Sequence, residues 1–574
     1  MRVAFRNQRS KKMSRVAKLL IIILFLLLNG TCFSQQWSAT YSHNTSNDLI
    51  SEDKAFSITV SNTGFVYVTG FCTSDSTGTD ICTIKYDQLG DTVWTRIYTG
   101  GENSEDKAYA IVVDDLDNII ITGYTTNDNT GIDIITIKYS AAGDLIWTSV
   151  YNGTDSTNTD DKSQALCVDH EGNVYVTGYA TFQDRGKDAI VIKYDSIGNL
   201  LWTYTYNYPQ ANSDDIANAI VLDNQGNVLI TGSSMRGTTA GDDMLTVKIN
   251  PSSGARIWSR VFNGSGSAED KAYAITVDDL DYVIITGYTT NAAGYKDITT
   301  IKYYSMGYTY WTNTNDISGF DDFAKSIALT PDNGAVVTGS TKTGTADGTE
   351  DYITIKYSSA GAIEWFTTYS GGYGSDIAYS LVVSELDNAV YITGSSVSDS
   401  IPCSEDMFTI EYSLDSGYVL DTARLDGLAG GEDIAYDIAI DSAGNIYLTG
   451  YTEPLNIYDN QTHASDYLTA KYTGGNLLNR RSSIKTPEVF TLSQNYPNPF
   501  NPSTTIKFSI PNKGLAKLTV YDILGREVEV LVNQTLLRGD YSVKFNGDKL
   551  ASGVYFYELS FNNYKDVKKM ILIK

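Results

Sequence analysis

A repeat of about 54 residues runs through most of this 574-residue chain and limits its fold more than any other feature. One unit contains Asp106-Lys107-Ala108, Thr122-Gly123, Asp133, Lys138-Tyr139 and Trp147, in that order. Each unit holds four short runs rich in Val, Ile, Thr and Tyr, which predict β-strands. Four strands at this period are typical of a propeller blade. The sequence therefore predicts an all-β chain with a β-propeller over residues 35–472.

The number of units predicts eight blades of four strands each. The first aspartate of the unit and the Thr-Gly pair both occur eight times, whereas the tryptophan occurs seven times and is lost near Leu420. The repeats begin with a tryptophan strand at Trp37 and end with a Lys-Tyr strand at Tyr472. If the tryptophan strand is outermost in its blade, the N-terminal strand completes the last blade and closes the ring.

The loop lengths predict two different faces. The spacing from the first aspartate to the Thr-Gly glycine is 17 or 18 residues, and the spacing from the Lys-Tyr strand to the tryptophan is 8 or 9. The other two spacings vary, from 10 to 16 and from 11 to 16 residues. Alternate loops of an up-and-down blade share a face, so we distinguish a variable face from a constant face. Recognition is usually placed on variable loops, and the best candidates are the insertions Tyr451–Ser465 and Ser340–Glu350.

Both aspartates of the unit begin a strand directly after a variable loop. Aspartate readily closes a loop by accepting backbone N–H bonds, and this is the favoured interpretation. The alternative is a cationic ligand or calcium, which prefers several oxygen ligands. The first ring contains Asp53, Asp106, Asp161, Asp215, Asp270, Asp322, Asp376 and Asp433, and the second ring contains Asp80, Asp133, Asp188, Asp243, Asp297, Asp351, Asp406 and Asp466.

Aromatic and cysteine residues carry weaker signals. The repeated tyrosines and tryptophans are expected to pack within and between blades, with a stacking platform for sugars as the alternative. Cys72 and Cys82 flank one hairpin loop and could form a disulfide, which export would allow. Cys167 takes the place of Val112 in the preceding unit, which indicates a buried small residue. No CxxC pattern is present, which argues against a zinc site.

The N-terminus predicts a secretory signal peptide over residues 1–34. Seven basic residues precede an apolar run, Leu19–Leu28, that is too short to span a bilayer, and the predicted cut follows Ser34. The whole chain has a formal charge of −26. The acidic residues concentrate in the propeller, which excludes nucleic acid as the partner.

The sequence contains no recognisable catalytic constellation. Its three histidines fall in separate repeats, and no nucleophile elbow, HExxH motif or phosphate-binding loop is present. A pair of carboxylates could hydrolyse glycosides, but such a pair should depart from the repeat. We therefore predict a non-enzymatic binding or adhesion module without a cofactor, calcium excepted, whose extracellular ligand is a glycan or a protein. A structural surface scaffold and, less favoured, an extracellular carbohydrate-active hydrolase are the alternatives.

The units resemble the bacterial β-propeller repeat (SBBP) family, whose core reads GN-x-Y-x-TG. Residues Gly172–Gly178 and Gly444–Gly450 match this core closely. The resemblance covers about three quarters of the chain and implies a fold rather than a chemistry. The family is usually described as seven-bladed, and the count of eight departs from it.

The tail predicts a small immunoglobulin-like β-sandwich over residues 489–574, after a linker at 473–488. It resembles the type A C-terminal sorting domain of the type IX secretion system. This resemblance implies export to the cell surface or medium of a Gram-negative bacterium, recognition by the secretion machinery and removal of the domain, with Arg480-Arg481 as a plausible cut region. No transmembrane span is expected in the mature protein. The matching motif residues are Tyr496, Pro497, Asn498, Pro499, Phe500, Asn501, Pro502, Gly525 and Gly553.

Overall fold

The computed structural model describes residues 34–43, 51–473 and 490–574, apart from short gaps at 75–76, 102–103, 128–129, 154–158, 184, 209–212, 236–240, 267, 343–348, 372–373, 398–403, 428–430, 454–464, 496, 511–513, 537–538 and 562–563. The chain divides into two compact units, Met1–Gly475 and Asn476–Lys574. Nearly all of the predicted signal peptide and linker, with Arg480-Arg481 and Tyr496, therefore lie outside the described residues.

The described residues of the first unit form eight sheets, each built on four antiparallel strands, and one of them has a short fifth strand. Blade 1 contains β2 (Lys54–Val60), β3 (Val66–Ser74), β4 (Gly78–Tyr86) and β5 (Thr92–Tyr98), with the short β6 (Ser104–Glu105) parallel to β4. Blade 2 contains β7 (Lys107–Val113), β8 (Ile119–Asn127), β9 (Gly131–Tyr139) and β10 (Leu145–Tyr151), and blade 3 contains β11 (Lys162–Val168), β12 (Val174–Phe182), β13 (Gly186–Tyr194) and β14 (Leu200–Tyr206). Blade 4 contains β15 (Asp215–Leu222), β16 (Val228–Met235), β17 (Asp242–Ile249) and β18 (Arg256–Phe262).

Blades 5 to 8 continue the same order. Blade 5 contains β19 (Lys271–Val277), β20 (Val283–Thr290), β21 (Lys296–Tyr303) and β22 (Thr309–Asn315), and blade 6 contains β23 (Asp322–Leu329), β24 (Ala335–Lys342), β25 (Glu350–Tyr357) and β26 (Ile363–Tyr369). Blade 7 contains β27 (Ile377–Ser384), β28 (Ala389–Val397), β29 (Glu405–Ser413) and β30 (Val419–Leu425). Blade 8 contains β31 (Asp433–Ile440), β32 (Ile446–Thr452), β33 (Asp466–Thr473) and the N-terminal β1 (Ser34–Tyr41).

The eight strands that follow the first aspartates form the inner ring. Each contacts its counterpart in the next blade, and β31 contacts β2, so the ring is closed. The tryptophan strand is outermost in every blade, and β1 pairs with β33 to complete blade 8. The predicted eight-bladed propeller and its closure by the N-terminal strand are confirmed.

The Thr-Gly pair is explained by the close approach of the innermost strand. A Cβ atom built on Gly123 would lie 1.8 Å from the carbonyl oxygen of Lys107, and the other seven glycines at this place meet the innermost strand equally closely. The neighbouring threonine is fully buried, and the Thr122 hydroxyl donates to the Ile135 carbonyl at 2.8 Å. Only glycine therefore fits beside the bulge of the innermost strand.

Each of the seven tryptophans joins its blade to the next one. The Trp147 indole N–H donates to the Ser196 carbonyl at 3.2 Å, in the constant-face turn of blade 3. Gly198 of that turn has a φ of +90°, and a Cβ on it would lie 2.7 Å from the Trp147 ring. Trp37, Trp94, Trp202, Trp258, Trp311 and Trp365 make the same hydrogen bond.

The missing eighth tryptophan also has a structural reason. Lysine and tryptophan normally face each other across the two outer strands, and both Lys193 Nζ and Trp202 Nε1 donate to the Pro251 carbonyl of the next turn. In blade 7 this pair is replaced by Glu411 and Asp421. In the described part of the chain no turn joins the two outer strands of blade 8, because its outermost strand is the N-terminal β1. The tryptophan is therefore absent where the described residues offer no turn for its indole to bind.

An aspartate on the innermost strand of blade 8 also stabilises the closed ring. Asp437 of β31 accepts hydrogen bonds from Ser57 Oγ and the Ile58 N–H of blade 1, each at 3.0 Å, and from Ser380 Oγ of blade 7 at 3.0 Å. Burial raises the pKa of the Asp437 carboxyl. The other innermost strands hold alanine or serine at this position, so one carboxylate links blades 7, 8 and 1.

The second unit is a two-sheet sandwich. Phe500, Phe508, Leu518, Tyr557 and Leu572 belong to its core. One sheet contains β34 (Thr491–Leu492), β35 (Ser503–Ile510) and β38 (Gly539–Asn546), and the other contains β37 (Glu527–Leu536), β36 (Gly514–Tyr521), β39 (Gly553–Phe561) and β40 (Tyr564–Leu572). This architecture matches the predicted immunoglobulin-like sandwich.

Candidate ligand face of the propeller

The first ring of aspartates closes the variable loops. Asp161, for example, accepts from the Gly153 N–H through Oδ2 and from the Thr181 N–H through Oδ1, both at 2.7 Å. All eight first-ring carboxylates accept a backbone N–H bond from the loop that precedes them. The donors are His43, Gly100, Gly153, Tyr208, Gly264, Ile317, Gly371 and Gly427.

The structure brings the two rings together at the blade junctions. The Asp161 N–H donates to the Ile132 carbonyl at 2.7 Å, which places Asp161 beside Asp133 of the preceding blade. The same backbone bond places Asp53 beside Asp466 and Asp106 beside Asp80. The sixteen predicted residues therefore lie on one face as pairs, each made of a second-ring and a first-ring aspartate from neighbouring blades.

These junctions are electrostatically unusual, because like charges are buried together. Burial raises the pKa of Asp161 to about 6, and the neighbouring Asp133 raises it further. Burial likewise raises the pKa of Asp188 to about 7, against the attraction of Arg185. The pKa is also raised to about 6 at Asp53, Asp215, Asp297 and Asp433.

A third ring of oxygen-bearing side chains was missed by the sequence analysis. Ile134 pairs with Tyr151 in the sheet register, so the next residues, Asp133 and Asn152, stand opposite each other. In each of the seven units that contain the tryptophan, the third-ring residue lies five positions after it. This constant spacing could have revealed the ring from the sequence. The ring consists of Ser42, Thr99, Asn152, Asn207, Asn263, Asp316, Ser370 and Asp426.

At two junctions the third ring supplies an additional carboxylate. Asp297, Asp316 and Asp322 offer oxygen atoms within 4.8 Å of one another, and so do Asp406, Asp426 and Asp433. The middle member of each group is exposed. In the second group, Arg424 Nη1 lies 2.8 Å from Asp406 Oδ2. The donor atoms have the hard-oxygen chemistry that calcium prefers, and the calcium interpretation stays a prediction.

The constant face pairs three of its buried aspartates with lysines. Lys302 Nζ lies 2.8 Å from Asp278 Oδ2, and both side chains are 1% exposed. The Lys138–Asp114 and Lys248–Asp223 pairs are equivalent, at 2.8 and 2.6 Å. Although burial would raise the pKa of Asp114, hydrogen bonds from Lys138 and Asn118 hold it below its ordinary value.

An arc of side chains lies around the propeller axis, three residues after the first-ring aspartates. Phe56 contacts Tyr109 and Tyr436, with ring centroids 5.4 Å apart in both pairs, and Tyr379 contacts Tyr436 at 5.4 Å. Lys325 Nζ lies 4.2 Å from the centre of the Tyr379 ring. All five residues, which we call the axial arc, are half-buried and occupy the bulge of their strands.

Two other predicted features are seen only in part. Residues 343–348 and 454–464, the middles of the two longest insertions, lie outside the described residues. Cys72 and Cys82 lie on paired strands as free, buried thiols, so the disulfide is not formed in the structure. The hydrogen bond between the two thiols, together with burial, raises the pKa of Cys72. Their pairing stays a prediction.

The sorting motif is held against the last strand. The Phe500 N–H donates to the Ile571 carbonyl at 2.9 Å, and Asn498 Oδ1 accepts from the Ile571 N–H at 2.9 Å. Gly525 takes a φ of +76° in the turn after β36, and Gly553 begins β39. The peptide bonds preceding Pro499 and Pro502 are cis.

Comparison with known proteins assigns the tail. Residues 494–574 match the family described as secretion system C-terminal sorting domain, and residues 424–453 match the family described as beta-propeller repeat. None of the curated proteins matches the chain. None of the described residues forms a helix that could cross a membrane.

Several solved structures are similar at low identity. PorZ of Porphyromonas gingivalis, a surface component of the type IX secretion system, is 12% identical over 90% of this chain and 74% of that chain, with a TM-score of 0.33. The WD40 domain of SCAP from fission yeast is 7% identical over 76% and 98%, with a TM-score of 0.41. A polysaccharide lyase of family PL25, an ulvan lyase, is 11% identical over 69% and 97%, with a TM-score of 0.37.

The expected family resemblances and the expected location are thus confirmed at the level of these families. The sorting domain implies an interaction with the secretion machinery. The chain carries a type IX secretion C-terminal sorting domain behind a propeller that contains the beta-propeller repeat, and it is exported to the outer cell surface or secreted.

Proposed function

We propose that the propeller is a non-enzymatic binding module that recognises an extracellular glycan or protein with its variable face. The observation that best supports this proposal is the unequal use of aromatic side chains. All seven tryptophans hydrogen-bond to the next blade. The axial arc instead presents half-buried aromatic rings and one lysine beside the variable loops. Tyrosine combines a large apolar surface with a hydroxyl group, which suits sugar and protein surfaces alike.

The proposal is tested by probing an array of glycans and matrix proteins with the full chain. We expect a reproducible hit that weakens at least tenfold with Tyr109→Ala and Tyr436→Ala. The matched control is Tyr308→Ala, which removes a 64% exposed tyrosine from a constant-face turn and should leave the hit unchanged. A blank array, or a hit lost equally with the control, would contradict the proposal and favour a structural scaffold.

The non-enzymatic part of the proposal has its own test. Candidate polysaccharides are incubated with the full chain, and the products are measured as new reducing ends and as unsaturated sugars. We expect no release above background. Release that is lost on a single Asp→Asn change in the two aspartate rings would overturn this part and establish carboxylate chemistry.

A further inference from the structure

Three neighbouring junctions on the variable face contain the same three kinds of oxygen-bearing residue, and at two of them the asparagine Oδ1 is also buried without a hydrogen-bond partner. Each set has a second-ring aspartate, an asparagine of the third ring and a first-ring aspartate of the next blade. Junction 2–3, between blades 2 and 3, contains Asp133, Asn152 and Asp161, and junction 3–4, between blades 3 and 4, contains Asp188, Asn207 and Asp215.

Backbone contacts bring the members of junction 2–3 together. The sheet register places Asp133 opposite Asn152, as described above. The Gly153 N–H, one residue after Asn152, donates to Asp161 Oδ2 at 2.7 Å. The Asp161 N–H in turn donates to the carbonyl of Ile132, one residue before Asp133, at 2.7 Å. Each residue is therefore fixed beside the other two by the main chain.

Junction 3–4 is built in the same way. Ala189 pairs with Tyr206, which places Asp188 opposite Asn207. The Tyr208 N–H donates to Asp215 Oδ2 at 2.8 Å. The Asp215 carboxylate is close enough to raise the pKa of Asp188. The repetition shows that the geometry follows from the propeller repeat itself.

Both junctions hold buried acceptor atoms without donors. Asp133 is 1% exposed and Asp188 is 0% exposed. Oδ1 of each aspartate, and Oδ1 of Asn152 and Asn207, have no hydrogen-bond partner among the described residues. Leaving a buried charged oxygen without a partner is costly, so these atoms point to a ligand that donates positive charge.

Nearby cations do not fully meet this need. Arg185 Nη2 lies 3.2 Å from Asp188 Oδ2, but its side chain is 46% exposed and does not bond Oδ1. Within the described part of the chain, neither Asp133 nor Asp161 forms an ion pair. On the constant face a buried lysine lies against Asp114, Asp223 and Asp278, whereas no described lysine forms an ion pair with the aspartates of these two junctions.

We propose that junctions 2–3 and 3–4 each bind one calcium ion through the two aspartates and the asparagine oxygen. Carboxylate and amide oxygens are hard ligands, and calcium accepts six to eight of them in irregular geometry, with water completing the shell. Magnesium demands a stricter octahedron, and zinc prefers nitrogen and sulfur. Extracellular calcium sites typically have dissociation constants of about 10⁻⁴–10⁻³ M, which suits an exported protein. This inference does not depend on the proposed binding function.

The test is a count of bound calcium on the full chain, by equilibrium dialysis at about 2 mM calcium. We expect the double variant Asp133→Asn/Asp188→Asn to bind two ions fewer per chain than the wild type, and each single variant one fewer. The matched control is Asp144→Asn, an exposed constant-face residue that should leave the count unchanged. A wild type that binds no calcium, or an equal count in the double variant, would overturn the proposal.

Thermal unfolding keeps the test decisive if a variant folds poorly. Calcium should raise the melting temperature of the wild type and leave that of the double variant unchanged. In chelator the double variant should melt at or above the wild type, because two buried charges have been removed. If the carboxylates share a proton instead, calcium will not change the wild-type melting temperature, and the proposal fails.

Discussion

The two faces of the propeller bury the same residue type in opposite electrostatic settings. On the constant face, Asp278 lies against Lys302, and both side chains are nearly inaccessible. On the variable face, Asp161 lies against another aspartate, and its pKa is raised to about 6. A buried charge is tolerated when it is paired and penalised when it is not. Three buried aspartates of the constant face are thus neutralised by buried lysines, whereas no described lysine forms an ion pair with the aspartates of junctions 2–3 and 3–4.

The same contrast explains the loop lengths. On the constant face, a lysine and a tryptophan must both reach one carbonyl in the next turn, as Lys193 and Trp202 reach Pro251. That requirement fixes the length of the turn. On the variable face, each junction needs only a backbone N–H bond to the first-ring carboxylate, which loops of many lengths can supply. Sequence variation is therefore free to accumulate on the variable face.

The largest expected effect breaks the constant face. Lys302→Met leaves Asp278 buried without its partner, and the free energy of unfolding should fall by about 3–5 kcal/mol. The measurement is denaturant unfolding of the full chain. The matched control is Lys107→Met, which removes a partly exposed ion pair with Glu105 and should cost about 0–1 kcal/mol. Equal losses in the two variants would contradict the contrast between buried and exposed pairs.

A smaller loss is expected when a loop brace is removed from the variable face. Asp161→Ala deletes the acceptor of the Gly153 and Thr181 N–H groups and should lower the free energy of unfolding by about 1–3 kcal/mol. Asp188→Asn should cause no loss, since no described backbone N–H bonds that side chain and the change removes a buried charge. Denaturant unfolding in chelator compares the two variants. A greater loss with Asp188→Asn would contradict these roles, because it would mean that Asp188 and not Asp161 holds its loop in place.

The faces should also respond to pH with opposite signs. The pKa of Asp53 is raised by burial to about 6, despite hydrogen bonds from the His43 and Thr73 N–H groups, so stability rises as the pH falls from above 6 to about 4. The pKa of Asp114 is lowered, so its contribution is lost as the pH falls below about 4. In chelator, the melting temperature should therefore peak at about pH 4. A steady decline from pH 7 to 4 would contradict this account.

The smallest effect is expected at Asp421, which occupies in blade 7 the position that tryptophan occupies in the other blades. Asp421→Trp should change the free energy of unfolding by less than about 0.5 kcal/mol, because the described part of blade 8 offers no turn for the indole to bind. The reverse comparison is Trp202→Phe, which loses the bond to the Pro251 carbonyl and should cost about 1 kcal/mol. A clear stabilisation by Asp421→Trp would show that the indole does find a partner in blade 8, and would contradict this explanation of the missing tryptophan.

The period of the sequence was enough to predict the propeller, its eight blades and its closure. Each marker is tied to one local contact: glycine to the close approach at Gly123, and tryptophan to the next turn. The spacing between markers therefore carried the architecture. The period did not explain why the tryptophan is lost near Leu420, because the explanation depends on which strand closes the ring.

The candidate site was only partly predictable. The sixteen aspartates were found as two rings, but their pairing across blades depends on which strands become neighbours, which the period alone does not state. Asn152 and Asn207 were missed because serine, threonine, asparagine and aspartate share the third-ring position without a common residue type. The third-ring residues share only a side-chain oxygen atom at a constant sequence spacing from the tryptophan. The sheet register is needed to show that Asn152 and Asn207 lie opposite second-ring aspartates.

Hydrogen–deuterium exchange of the full chain, with calcium and with chelator, tests the difference between the faces most directly. We predict that calcium slows exchange in peptides around Asp133–Asn152 and Asp188–Asn207, while the turns around Asp278 and Asp114 exchange at the same rate in both conditions. Equal protection of both faces, or protection confined to the constant-face turns, would contradict the claim that the variable face is the one built to receive a ligand.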